Sequence, residues 1–376
     1  MSGESPAASA GAKRSSSVPL ITARPDRRRA LLALGALSAL FATAGCGGGG
    51  QTPDEPAPST QAADIAADKA APPAPVVPST WPLTGVAGDV VTRAALAVKI
   101  ENPKEVRPQT GLDEADIVWE QVVEGGVTRL VAVFHSQVPG EVGPIRSVRP
   151  MDPAIVAPMH GIIAFSGGQA GFVNALKASG AQVLSNDMGS DGFYRTKIRS
   201  APHNVYGTPS TFWSQADADH QASPPEQFAF ARSAEQATAA VSGTPATSVS
   251  VTMSGYSHPS FTWDAASGTW QRSEAGEPAT ASSGARLAGT NVVTMSVVLV
   301  DSGTRDPAGS VVPETQMVGS GAAVVATGGK TIAVTWTKTA TETPVVLTTA
   351  DGQVVKLAPG KTWVELVPTS GSVTVG

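Results

Sequence analysis

The stretch 124–150, EGGVTRLVAVFHSQVPGEVGPIRSVRP, limits the fold more than any other part of the chain. Within it, residues 130–134 are an unbroken apolar run rich in valine, bounded by Gly125-Gly126 before it and Pro139-Gly140 after it. A run this short between turn signals reads as a buried strand. Arg129 enters the strand, Arg146 and Arg149 follow it, and Glu124 places a carboxylate at its head. A guanidinium keeps its charge and presents its donors in a fixed fork, so arginines beside a core strand meet carboxylates or a planar anionic ligand. The stretch alone allows either.

Residues 95–100 (ALAVKI) and 161–165 (GIIAF) are further buried-strand candidates, and 116–123 favours strand over helix on propensity. Ser166-Gly167-Gly168-Gln169 then leads into a helical pattern over 171–179, with Phe172, Ala175 and Leu176 on one side. A glycine pair between strand and helix either leaves backbone N–H groups free for an anion or is simply a tight connection. Ser166 lacks the glycine spacing of a nucleophile elbow. A second polar cluster, 194–206 (YRTKIRSAPHNVY), sets Arg195, Lys197, Arg199, His203 and Asn204 among aromatics. His203 sits on a turn, where it either carries a proton or binds a ligand, or else bonds backbone. The five histidines show no paired metal-ligand spacing, so no metal and no cofactor are expected.

The N-terminus carries an address. Arg24, Arg27, Arg28 and Arg29 precede an uncharged apolar stretch, 30–42, that is too short to span a bilayer and suits a signal-peptide core. It ends in Thr43-Ala44-Gly45-Cys46, which resembles a bacterial lipobox except that Thr43 stands where an aliphatic residue is usual. Cleavage there makes Cys46 the first residue and the lipidation site. Arg28-Arg29 also resembles a twin-arginine export signal, so the export route stays open between the two systems. Losing the leader removes six basic and two acidic residues, which takes the net charge from −5 to −9. An acidic protein gains nothing from an anionic membrane surface, so the lipid must hold it there. Cys46 is the only cysteine, and its use leaves none for a disulfide. From residue 47 to about 79, glycine, proline and alanine dominate, the composition of an extended tether.

At 376 residues and 41% hydrophobic content, the chain is long and apolar enough for two domains. Only 15% of residues are charged and the folded part has no basic run, which argues against a nucleic-acid partner. Past an alanine- and glutamine-rich connector with a helical part at 231–241, nine short strands are predicted: 249–253, 261–263, 269–272, 292–300, 322–326, 331–337, 345–349, 354–357 and 362–367. Ile332, Val334 and Trp336 share one face, and Gly328-Gly329 and Asp351-Gly352 mark hairpin turns. Trp263, Trp270, Trp336 and Trp363 either fill this domain's core or line a carbohydrate-stacking surface.

Seven motifs in one order carry a family resemblance: ENP at 101–103, RPQTGL at 107–112, EADIVWE at 114–120, EGGVTR at 124–129, GPIRSVRP at 143–150, APHNVY at 201–206 and GKTW at 360–363. Together they resemble the YerB-like lipoprotein family, a domain of unknown function, over residues 94–368. The resemblance implies a lipid-anchored bacterial envelope protein with two domains, and it supplies no activity, substrate or catalytic residue. Phe165 stands where the family often has histidine, which argues against a histidine-dependent reaction there.

The expected fold class is α+β, with an N-terminal layered α/β domain built on a mixed sheet and a smaller, mainly β C-terminal domain. The expected division is a leader at 1–45, a lipidated tether at 46–80, the first domain at 81–215, a connector at 216–245 and the second domain at 246–376. Two functions from different classes fit. In one, the chain sits on the extracytoplasmic face of the cell membrane as a binding or scaffold module for an anionic wall polymer or an envelope protein. Its ligand-binding candidates are Arg107, Gln109, Glu120, Glu124, Arg129, Arg146 and Arg149, then Gly167 and Gly168, then Arg195, His203 and Asn204. In the other it is a hydrolase or transferase on such a polymer, with Glu120 or Glu124 as acid or base and Arg129, Arg146 and Arg149 stabilising developing charge. Beside both stands a structural reading, in which Asp116, Glu120 and Glu124 pair with those arginines inside the domain. Binding is favoured, because no nucleophile with a base, no metal set and no complete phosphate loop can be read.

Overall fold

The predicted strands form where the apolar runs lie: Leu96–Glu101 (β1), Ile117–Val122 (β2), Thr128–Phe134 (β3) and Ile162–Phe165 (β4). Between β3 and β4 comes a short helix, Asp152–Val156 (α1), and after β4 come Ala170–Ala178 (α2) and Gln182–Ser185 (β5). The computed structural model describes residues 79–376, which belong to one compact unit, Pro73–Gly376. The leader, Cys46 and the tether to residue 78 lie outside the described residues.

A mixed sheet of twelve strands is the frame. It runs from the strand Val346–Thr348 through Lys330–Lys338, Gly319–Thr327, Asn291–Arg305 and Thr362–Pro368 to β2, β3, β1, β4 and β5. Only β3 is antiparallel to its neighbours in the β2–β5 part, so β1, β2, β4 and β5 point the same way. The strand Thr362–Pro368 lies parallel between β2 and Asn291–Arg305, with Ile117 beside Thr362 and Glu120 beside Glu365. A smaller antiparallel sheet contains Ser248–Thr252, Pro259–Asp264, Thr269–Glu274 and the C-terminal Ser372–Val375. In its coarse form the α+β expectation agrees with the mixed sheet, and strands outweigh helices among the described residues. The connector at 216–245 marks no break in that sheet, because strands from both sides of it pair edge to edge.

The two faces of the large sheet bury different partners. Ala97, Trp119, Val131 and Ile163 pack with Ile155 of α1 and with Phe172 and Leu176 of α2. On the reverse side Val98, Val118, Leu130 and Ala132 pack with Val249, Phe261, Trp270 and Trp363. Cover on both faces explains why β2 reads as IVWEQV without clean alternation, since all six of its residues are buried. The tryptophan question resolves toward core, as Trp270 and Trp363 are fully buried and Trp336 nearly so. Gly328 and Gly329 turn the chain between Gly319–Thr327 and Lys330–Lys338 at φ of 61° and 70°, the left-handed pair a two-residue hairpin needs. Among the strands that escaped the sequence reading are β5, Val311–Gln316, which pairs with Asn291–Arg305, and Ser372–Val375.

Because Thr362–Pro368 is shared between the chain's two halves, they are expected to unfold together. Trp363→Ala is expected to cost about 3–5 kcal/mol and to shift one common denaturation curve. Coincident curves by intrinsic fluorescence and far-ultraviolet circular dichroism check this, and two separated transitions would refute it.

Candidate functional site

The carboxyl ends of β1, β2, β4 and β5 meet at one edge of the sheet, a place where open sheets present ligand-binding loops. Successive side chains of a strand point to opposite faces. Lys99 and Glu101 of β1, Gln121 of β2 and Arg129 of β3 therefore lie on the helix-covered face, in line with Ala97, Trp119 and Val131. Asn102, Glu120 and Thr128 take the face covered by the smaller sheet. Two polar centres result.

On the helix face, Lys99 Nζ donates to Asp152 Oδ1 at 2.7 Å, and Gln121 Nε2 donates to the same oxygen at 2.6 Å. Asp152 Oδ2 takes the Arg149 backbone N–H, while the Arg149 guanidinium pairs with Glu124 Oε1 at 2.5 Å. Arg146 pairs with Glu101 Oε1 at 2.9 Å, and His203 Nδ1 meets the other oxygen of Glu101 at 2.9 Å. Arg129 differs: its Nη1 donates to the Ser147 carbonyl at 2.8 Å, and no carboxylate lies within ion-pair distance among the described residues. Four cations thus share three carboxylates. Burial pushes the Arg129 pKa down to about 9, and the neighbouring Arg149 and Arg146 add to the shift. Burial likewise brings Lys99 down to about 8 against the pull of Asp152.

The Gly167-Gly168 connection joins this centre, since the Val148 N–H donates to the Gly167 carbonyl and the Ser166 N–H to the Arg146 carbonyl. A methyl group on Gly167 would run into the Asp187 carboxylate and one on Gly168 into Val148, so both positions are close-packed connections. Arg195 and Asn204 stand slightly apart, bonded to each other at 2.8 Å where the strand Phe193–Arg195 pairs with Val205–Gly207.

The reverse face holds the second centre. Arg272 donates through Nη2 to Glu120 Oε2 at 2.6 Å and Glu274 Oε2 at 2.8 Å, and through Nη1 to Glu365 Oε1 at 2.9 Å. Its guanidinium lies over the Trp363 ring, 4.5 Å from the centroid. Glu120 also accepts from Asn102 Nδ2 and Thr128 Oγ1, Gln109 donates to Asn102 Oδ1, and Arg107 donates to the Asn102 carbonyl. Burial and the adjacent Glu120 charge push the Glu365 pKa well above the usual carboxylate range. Burial opposes ionisation of Glu120 as well, but Arg272 and the Thr128 hydroxyl outweigh it and hold the pKa below the usual value. Burial also disfavours the charge on Arg272, yet its three carboxyl partners bind the proton more tightly than in free arginine.

The predicted candidates therefore divide. Glu124, Arg129, Arg146, Arg149, Gly167, Gly168 and His203 come together on the helix face, whereas Arg107, Gln109 and Glu120 belong to the other. Glu120 cannot act with Arg129, Arg146 and Arg149, because its even position on β2 points it through the sheet and away from them. Sequence reasoning missed Lys99, Glu101, Asp152, Arg272, Glu274 and Glu365. A signal existed for two of them: Arg272 follows Trp270, and Glu365 follows Trp363, at the two-residue spacing that puts both charges in phase with a buried ring. Among the described residues, no three histidine, cysteine or acidic side chains converge as a metal site.

The family described as "Protein of unknown function (DUF3048)" matches this chain twice, its N-terminal domain over residues 83–222 and its C-terminal domain over 249–364. The chain belongs to that family. A Bacillus subtilis (strain 168) protein named "Putative lipoprotein YerB" is 39% identical over 129 residues, which are 33% of this chain and 39% of that protein. The chain thus aligns with well under two thirds of that relative's length. The crystal structure of YerB protein from Bacillus subtilis superposes with a TM-score of 0.66 at 25% identity, covering 79% of this chain and 99% of that one. The overall fold is thus similar to one already seen in that Bacillus subtilis protein.

Glu120→Gln removes a fully buried countercharge of Arg272 and is expected to cost roughly 3–5 kcal/mol. Glu365→Gln keeps the shape and removes a carboxyl whose ionisation burial and the Glu120 charge oppose. The raised pKa of Glu365 gives a contribution complete below the unfolded value of about 4.3 and lost as pH rises from there through the folded value. Glu365→Gln is therefore expected to unfold less readily than the parent chain at pH 8 and to lose this part of the pH dependence. Urea denaturation at pH 4, 6 and 8 checks both variants.

Proposed function

We propose that this chain is a lipid-anchored protein of the bacterial envelope that binds an anionic cell-wall polymer at the helix-face arginine centre. One observation carries the reading: Arg129 is a half-buried guanidinium whose charge has no carboxylate partner among the described residues, in a group where cations outnumber acids. Keeping like charges together without a full set of countercharges is unfavourable, and an incoming anion relieves it. Arg146 is partly exposed beside it and offers a second donor face. Glu124 is held by Arg149, which suits a structural support better than a free acid or base.

The anchoring part of the reading rests on the leader, on Cys46 and on the name of the Bacillus subtilis relative. Among the described residues no helix is long and apolar enough to cross a membrane. A lipid on Cys46, with the tether behind it, would bring the arginine centre within reach of the wall.

Arg149 is a poor position for a test, because truncating a buried partner leaves Glu124 uncompensated and costs stability. Arg129→Gln loses no ion pair. It is expected to keep the melting temperature within a few degrees and to weaken retention on purified cell-wall fragments roughly tenfold or more. Retention by the parent chain is expected to fall with added salt. Unchanged retention in Arg129→Gln overturns the binding reading, and a mass change in the fragments makes the protein an enzyme. In cells, Cys46→Ser is expected to move the chain out of the membrane fraction.

A further inference from the structure

On the far side of the sheet from Arg129, a cleft of about 410 Å³ opens between residues 104–109 and 274–280. Its floor is Arg107 and Glu274, whose side chains approach to 3.7 Å, the loosest ion pair of the second centre. Glu274 is already committed there, bonded to Arg272 and to the His258 N–H. Arg107 gives Nε and Nη2 to the Asn102 carbonyl, which leaves Nη1 without an acceptor among the described residues. Lys104 stands exposed on one rim and Glu277 exposed on the other, and neither meets an ionic partner among the described residues. Ala275 and Ala279 supply small apolar walls.

A simple anion would satisfy Lys104 and Arg107 but would face Glu274 and Glu277. A simple cation would meet the reverse. A molecule carrying both charges uses both rims, and the volume falls in the range of small-ligand pockets, about 300–1,000 Å³. We propose that this cleft is a binding site for a small zwitterion of amino-acid or dipeptide size, its carboxylate held by Arg107 and Lys104 and its ammonium by Glu277. The small walls suit short side chains, and dialanine is the natural probe.

Calorimetric titration of the full chain with dialanine, N-acetyl-dialanine and dialanine amide tests this. Saturable binding of dialanine is expected, with each blocked form at least about tenfold weaker because it leaves one rim unpaired. Lys104→Gln and Glu277→Gln touch exposed side chains only. They are expected to keep the parent melting temperature and to weaken dialanine binding roughly tenfold. Arg129→Gln, on the other face, is expected to bind dialanine as the parent does, which separates this site from the wall-binding centre. Absence of saturable heat up to about 10 mM dialanine, equal affinity for all three probes, or unchanged affinity in both rim variants overturns the proposal.

Discussion

Arg272 and its three carboxyl groups are the interaction on which the rest of the structure depends. The parallel register of β2 with Thr362–Pro368 sets Glu120 directly beside Glu365 in a sheet buried on both faces. Two carboxyls so placed cannot both ionise without a cation between them. Arg272, arriving from the smaller sheet, is that cation, while burial and the Glu120 charge raise the Glu365 pKa well above the usual carboxylate range. The cluster is a lock between sheets more than a source of stability, since a buried ion pair roughly cancels its own desolvation while a broken one is costly. Any packing of the smaller sheet that moved Arg272 away would leave charges stranded in the core.

The helix-face centre follows a different charge balance. Around Arg272 each charge is paired, sealed and stacked on Trp363. Around Arg129 the pairs Lys99–Asp152, Arg146–Glu101 and Arg149–Glu124 leave one guanidinium over, at the edge where the strand ends and the Gly167-Gly168 connection converge. Of the carboxylates expected to pair inside the domain, Glu124 does meet one of the expected arginines, Arg149, while Glu120 meets Arg272 instead. Among the described residues Asp116 pairs with no arginine, and it accepts from the backbone N–H groups of His135 and Ser136. A structural scaffold of ion pairs and a candidate ligand site occupy one edge, and only the charge left over distinguishes the second from the first.

Local chemistry was legible in the sequence. The apolar runs gave β1, β3 and β4 within a residue or two, the helical spacing of Phe172 and Leu176 gave α2, and the glycine pair at 328–329 gave its hairpin. These features depend on interactions between residues close in the chain, where side-chain spacing and permitted φ angles act directly. The arginines concentrated at 129–149 do lie together on the helix-covered face. What only the tertiary structure decided was which residues face each other. The sequence treated Glu120 and Glu124 as equivalent neighbours, yet the pleat sends one through the sheet and leaves the other with Arg149. It also placed Glu365 and Arg272 in a separate domain, although a strand from that region runs beside β2. Pairing between strands far apart in sequence is fixed by burial of both sheet faces together and by the charges that burial forces into contact, and neither leaves a local periodicity to read.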